Sequence, residues 1–495
     1  MALYVPKLFL PIATLAEARN LEYVKLNKGL GLNKMVVPDV HEDAATMAAN
    51  AVAELIEKNN LDPRKVGRIY LGTESALDGA KPTATYVLEM LRRKYRSTYG
   101  VDCFQNCDVV DLTFACVGGV DALHNTLDWV RGDEDRIGIV VTSDFAKYEL
   151  ESGGEYTQGA GAVAMLIKHN PRLMVIDDVF GVATQGVHDF YKPRRSFHKK
   201  DVIIEVLTLA GVDNIDAEEI LNKIPETLSV NGLLDENDSY LELYKDTPVF
   251  DGQYSNWTYQ NRIREAYLNY CRNAKFKNQD LEDKDILSQW ERLIFHLPYA
   301  FHAKRIASEL FMYSMKNQGR WHELTEEIPD EPKSSDFEDQ ASFESARIKF
   351  LRAITKTEAY RNFVSEKLEK AQRASSNVGN MYACSIFLAL MSTLEADLNE
   401  GTTFKDGKFG FFGYGSGSKS KVFQGQLQND WKEVVMNFNV FKKLEEGHEI
   451  DYATYEQIHR KQRSNSLSAP KNEFAIERIG TEGVRLGARY YSWNS

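Results

Sequence analysis

The sequence predicts an α/β architecture, and three observations carry that reading. Short apolar runs alternate with stretches of helical spacing through the first third of the chain. IGIVVTSD, from Ile137 to Asp144, is apolar enough for a fully buried strand. A similar strand and helix order begins again further on, padded and without any repeat at the residue level.

Taken in order, AATMAANAVAELIEKN from Ala44 has helical apolar spacing and leads into a strand, RIYLGT (68–73). A helix over about 83–94, the strand VVDL (109–112) and a helix from about Val117 to Val130 follow. GAVAMLI (161–167) and LMVIDDVFGVAT (173–184) read as two adjacent strands. From 196 to 245 the composition turns charged and helical, with DAEEILNKIPETL as an amphipathic stretch. The pattern resumes at Asn256 with a long helix, NWTYQNRIREAYLNYCRNA, then the strand ERLIFHLP (291–298). AKRIASELFMYSMKN and MYACSIFLALMSTLEADLN are two more helices, and KFGFFGYGSGSKSKVFQG (408–425) is a hairpin around a Gly/Ser turn. PDEPKSSDFEDQAS (329–342) reads as an exposed loop.

A length of 495 residues allows two large cores or one fused double domain. The composition, 43% hydrophobic and 27% charged, is that of a soluble globular protein. A net charge of −12 argues against nucleic acid as a partner, because phosphate binding needs clustered basic surface. Five scattered cysteines suit reduced thiols better than a disulfide scaffold. The first residues lack a charged segment followed by a clean apolar core, and no apolar run approaches the ~20 residues of a membrane helix. A cytoplasmic protein with no membrane association is expected.

Cys116 stands in DLTFACVGGVDALHN, after an apolar strand and at the start of a helix. A helix N-terminus carries partial positive charge, which favours thiolate, and Gly118 and Gly119 would let backbone N–H groups approach a bound carbonyl. An isolated cysteine reads first as a buried structural one; strand, Cys, Gly-Gly and helix together favour a nucleophile. His296 ends the strand LIFHLPY with Pro298 behind it, a position that faces a cleft more often than a mid-strand one. His302, His188 and His124 lack comparable settings. Glu74 directly follows RIYLGT, where desolvation raises a carboxyl toward a useful base; a first-turn or capping acid is the equal alternative, with Ser75 and Asp78 nearby. SGGEYTQGAGAVAM and GFFGYGSGS lack nucleotide-binding spacing and read as tight turns, and CFQNC lacks a second ligand pair for a metal.

These segments together resemble the 3-hydroxy-3-methylglutaryl-CoA (HMG-CoA) synthase family of the thiolase superfamily. LGTESALDGAK looks like the family's acid-bearing loop, FACVGGVDAL like its nucleophile segment and SGGEYTQGAGAVAM like its Gly-rich strand turn. HDFYKP, with Asp189, IFHLPY, VGNMYACS, with Asn380 and Tyr382, and FFGYGSGS, with Gly415 and Ser416, follow in the family's order, and the ending RLGARYYSW also fits. Each piece alone is weak; the ordered set from 68 to 418 is specific. The resemblance implies a five-layered αβαβα fold of two similar halves with helical insertions in the second. The halves would be 1–172, carrying Glu74 and Cys116, and 173–495, carrying His296, Asn380 and Ser416 with an insertion at 196–245.

The implied chemistry is a ping-pong condensation that supplies HMG-CoA to the mevalonate route toward isoprenoids. Acetyl-CoA acylates Cys116, Glu74 acts as general base and acid, and His296 holds and polarises acetoacetyl-CoA. Asn380, Ser416 and the Cys116 backbone N–H bind thioester oxygens, and Gly415, Tyr382 and Asp189 complete the substrate site. No metal or organic cofactor is implied, and a homodimer is the default. The family's CoA-anchoring lysine is replaced by Phe301, which leaves Lys304 and Arg305, one turn on, as candidates for the phosphate contact. The insertion is either a surface elaboration or a device that reshapes the substrate mouth or binds a partner. Rival readings are a polyketide-pathway relative acting on an acyl group held by a carrier protein, a ketoacyl synthase with no need of Glu74, and a degenerate scaffold.

Overall fold

Two mixed sheets with the same internal order form the frame of the computed structural model, which describes residues 1–212, 216–222, 240–281 and 284–495. In the first sheet, Ala2–Tyr4 pairs antiparallel with Gly159–Ile167, which pairs antiparallel with Ile137–Ala146. Val66–Gly72 and then Asp108–Leu112 extend that sheet in parallel. In the second sheet, Met174–Thr184 pairs antiparallel with Lys419–Leu427, and that strand with Lys408–Gly415. Arg292–Phe295 then adds in parallel. Each sheet thus runs first strand, last strand, next-to-last strand, then a parallel neighbour. By this correspondence Val66–Gly72 in one half matches Arg292–Phe295 in the other.

Helices fill the remaining three layers. Ala44–Lys58 and Thr83–Tyr99 cover the outer face of the first sheet, and Gly252–Lys277 covers the second. Gly118–Arg131 and Ser385–Asn399 lie between the sheets. The αβαβα order that the resemblance implies is therefore the observed one. The central layer is tight. A Cβ on Gly119 would lie 2.4 Å from Thr142 Cγ2 and 3.0 Å from the Ala383 carbonyl, and one on Gly118 would lie 2.5 Å from the Leu112 carbonyl. The Gly-Gly pair therefore serves close packing of helix on strand and helix, not the approach of a substrate carbonyl.

The strands 159–167 and 174–184, adjacent in sequence, lie in different sheets, so the turn between them crosses from one half to the other. Alternation of apolar residues reports that a segment is a strand, not which sheet receives it. The helix expected over 303–317 is divided at Ala307 into His302–Ile306 and Ser308–Asn317. The one expected from Met381 opens instead as a 3-10 turn, Tyr382–Cys384, because Tyr382 takes a left-handed φ of 43°. In the insertion, Arg194–His198 and Tyr240–Tyr244 pair antiparallel as a ribbon topped by the helix Lys199–Leu209. Of the amphipathic stretch 216–228, only the helix Ala217–Asn222 falls within the described residues.

A terminal hairpin, Glu473–Ile479 with Arg489–Asn494, crosses back onto the first half. Phe474 and Tyr491 join the core formed by the helices 44–58 and 83–99. Asn50 pairs with both backbone groups of Phe474, at 2.7 and 3.2 Å, and Tyr491 donates to Asp43, the N-cap of the helix 44–58, at 2.8 Å. Among the described residues, no helix is long and apolar enough to cross a membrane.

Candidate active site

Corresponding strands of the two sheets end at one cleft. Glu74 lies just past Val66–Gly72, and His296 directly follows Arg292–Phe295, its N–H donating to the Phe412 carbonyl at 3.0 Å. Cys116 follows Ala115, whose φ of 40° is left-handed, and the helix begins two residues later at Gly118. That turn aims the sulfur across the sheet. Cys116 Sγ donates to Glu74 Oε1 at 2.9 Å, joining residues 42 apart in sequence.

The electrostatics of this pair differ from the expectation of a helix-stabilised thiolate. Burial first, and then the Glu74 carboxylate, push the Cys116 thiol well above its ordinary value. Burial also raises Glu74, opposed by the Lys192 ammonium and by the hydrogen bond from Cys116. The proton therefore rests on sulfur, and Glu74 is placed to take it. Glu74 is no helix cap either, since the next helix starts at Thr83. Its own N–H donates to Asp144 Oδ1 at 2.9 Å, while Asp144 Oδ2 accepts from Ala383 N–H at 2.9 Å. Burial, with Glu74 next, raises Asp144 to about 7.

The walls around Cys116 are aromatic. Tyr148, Tyr382, Phe190 and Phe250 pack about it, the last two from a short strand pair, Phe190–Tyr191 with Val249–Phe250, at the root of the insertion. Lys192 continues that strand; its ammonium donates to the Glu74 carbonyl at 3.1 Å and lies 4.8 Å from the Tyr382 ring centre. The insertion is thus mounted on the wall of the site.

Cys116, His296, Asn380, Tyr382 and Ser416 line one cleft of about 890 Å³. Asn380 Oδ1 accepts from Tyr382 N–H at 2.9 Å and Ser385 Oγ at 3.2 Å, which leaves its NH2 as the group free for the cleft. Burial lowers His296 to about 3, so its imidazole is neutral. The cleft shares Gln253, Asn256, Tyr299 and Arg305 with an outer chamber of about 870 Å³, which also holds Lys304, Arg352 and Arg361. Lys304 rests on the ring of Phe301, 3.1 Å from its centre.

Two expected substrate contacts stand elsewhere. Asp189 is fully buried, and its carboxylate accepts from Tyr414 Oη at 2.8 Å and Gly417 N–H at 2.7 Å. Both oxygens are thereby committed to holding the 414–417 turn. Gly415 packs on the nucleophile turn, where a Cβ would lie 2.5 Å from the Phe114 carbonyl. Sequence reasoning missed Lys192, Asp144 and Tyr148, which carry no local spacing signal. Lys192 stood inside the quoted HDFYKP, and a basic residue there was the available clue.

Comparisons with known proteins converge on the same family. The model described as Hydroxymethylglutaryl-coenzyme A synthase N terminal matches residues 1–171, and its C-terminal counterpart matches 238–479. A hydroxymethylglutaryl-CoA synthase of Haloferax volcanii is 28% identical over 502 residues, covering 100% of this chain and 98% of its own. One from Schizosaccharomyces pombe is 27% identical, covering 97% and 93%. Among solved structures, MvaS in complex with 3-hydroxy-3-methylglutaryl coenzyme A shares the fold at a TM-score of 0.73 and 22% identity, covering 100% of this chain and 98% of that one. The curacin-pathway HMG synthase in complex with acetyl donor-ACP shares it at 0.68 and 18%, covering 99% and 98%. The chain belongs to the hydroxymethylglutaryl-CoA synthase family.

Proposed function

We propose that this chain condenses acetyl-CoA with acetoacetyl-CoA and water to give HMG-CoA and CoA. The observation that carries this reading is the 2.9 Å contact between Cys116 and Glu74, in a cleft that also contains His296 and opens onto a cationic chamber. Cys116 sulfur attacks the acetyl thioester as Glu74 takes the thiol proton, which then leaves on the departing CoA sulfur. Glu74, ionised again, removes a proton from the acetyl methyl group, and the resulting carbon attacks the ketone of acetoacetyl-CoA. The neutral imidazole of His296 donates a hydrogen bond to that ketone oxygen, and the proton on Glu74 returns to the new alkoxide. Water then cleaves the thioester to Cys116, restoring thiol and releasing the product as a carboxylic acid. Lys304, Arg305, Arg352 and Arg361 supply the charge that the CoA phosphates require. This chemistry calls for neither metal nor prosthetic group, and its product would feed the mevalonate route.

Purified protein given acetyl-CoA and free acetoacetyl-CoA should release one CoA thiol per HMG-CoA formed. An acetyl adduct without condensation of the free thioester would favour an acceptor held on a carrier protein instead. The five cysteines are all unpaired, which suits the reducing cytoplasm. Asp108–Leu112 ends the first sheet with no strand partner beyond it among the described residues, and it leaves Val110 exposed. Pairing of two such edges would give a homodimer, for which light scattering should return twice the chain mass of 56.3 kDa.

A further inference from the structure

His302 is a buried imidazole, 1% exposed, with neither ring nitrogen hydrogen-bonded. It opens the short helix His302–Ile306 and lines the same cleft as Cys116 and His296. Its ring meets Tyr259 at 4.5 Å and Tyr299 at 4.8 Å, both nearly perpendicular, at 73° and 84°. These rings fix its orientation but offer its nitrogens nothing to bond. Buried polar groups are almost always paired, so two unpaired nitrogens on a cleft wall point to a ligand. Burial chiefly, with His296 and Arg305 adding to it, lowers His302 to about 3. The imidazole is therefore neutral, with one donor and one acceptor nitrogen.

Its position narrows the ligand. His302 lies within electrostatic reach of the imidazole of His296, in the reaction cleft, and of Arg305, which faces both the cleft and the outer chamber. Between a reacting thioester and a phosphate, the substrate's polar groups are the two amides and the one secondary hydroxyl of the pantetheine arm. Resting on the condensing-enzyme reading above, we propose that His302 is a substrate-binding residue that hydrogen-bonds an amide or the hydroxyl of this arm. The arm is common to CoA and to a phosphopantetheinyl carrier protein, and His302 would grip it in either.

The test compares wild type with His302→Leu, His302→Phe and His302→Gln. Phe keeps the packing on Tyr259 and Tyr299 while deleting both nitrogens, so one apolar variant remains if the other fails to fold. Acceptors are acetoacetyl-CoA, the same acyl group on a phosphopantetheinyl acyl carrier protein, and S-propyl acetothioacetate, which has no amide. On whichever arm-bearing acceptor wild type uses, the apolar variants should raise KM about tenfold with kcat within about twofold. Wild type's choice between those two acceptors identifies the source of the arm. His302→Gln should recover most of the loss, and on S-propyl acetothioacetate all four proteins should have equal kcat/KM. An unchanged KM in the apolar variants overturns the proposal. So does an equal loss on the amide-free thioester, which would put His302 at the acyl end. A wild type that forms no acetyl-Cys116 and no product would instead strike the function itself.

Discussion

Cys116→Ala should abolish the acetyl adduct and lower turnover by about 10⁴-fold or more. The sulfur is the nucleophilic atom in hydrogen-bond contact with the Glu74 carboxylate, and an alanine leaves that carboxylate buried without its donor. Cys116→Ser is the more informative variant. A hydroxyl preserves the contact to Glu74 but gives up its proton far less readily than a thiol, so the adduct should stay undetectable while the fold is unchanged. Intact-protein mass spectrometry after incubation with acetyl-CoA reads both variants. An adduct of normal yield in either one would place the acyl carrier elsewhere.

Glu74→Gln should let Cys116 acetylate slowly yet cut condensation by about 10²–10⁴-fold. The amide is isosteric and can still meet the sulfur, but it cannot take a proton from carbon. The pH profile provides the second readout. Burial holds Glu74 above the ordinary carboxyl value of 4.5, and only its ionised form is a base. Condensation by the wild type should therefore fall on the acid side through a limb that lies above pH 4.5 and steepens as protons load Glu74. In Glu74→Gln the residual rate should lack that limb. Asp144 sits behind Glu74 and accepts its N–H, and two carboxyls in one buried pocket resist carrying charge together. A limb that persists in the variant would assign the base to another residue.

The elements of this fold were legible because each is written locally. The strand 137–146 is buried along nearly its whole length, as the apolar run IGIVV at its start announced, and the hairpin 408–427 turns at its Gly/Ser segment. Cys116, Glu74 and His296 were legible for a related reason, since each closes or follows a strand, where a side chain reaches a cleft. What was not legible depended on distance in sequence. Asp189 belongs to the turn 414–417, more than two hundred residues on, so nothing near it in the chain says that its oxygens are taken. Gly118 and Gly119 suggested room for a substrate, yet the groups that fill that room are Thr142, Ala383 and Leu112. His302 lacked any telling setting because, beside Tyr299 just before it, it meets Tyr259 from another helix and the wall of a cleft built from distant segments. The thiol's state was misjudged because a helix terminus is a local feature and burial beside Glu74 is not.

The returning hairpin 473–494 sets the order in which a growing chain can finish. Asn50 leaves the ribosome 424 residues before Phe474, its partner. At ~5–20 residues per second that gap lasts roughly 20–85 s. Throughout it, Asp43 and Asn50 lack the bonds that the hairpin brings, and the apolar surface later covered by Phe474 and Tyr491 stays open. The half that carries the nucleophile is thus made first and completed last. That surface of the nascent chain closes only when translation has passed the hairpin.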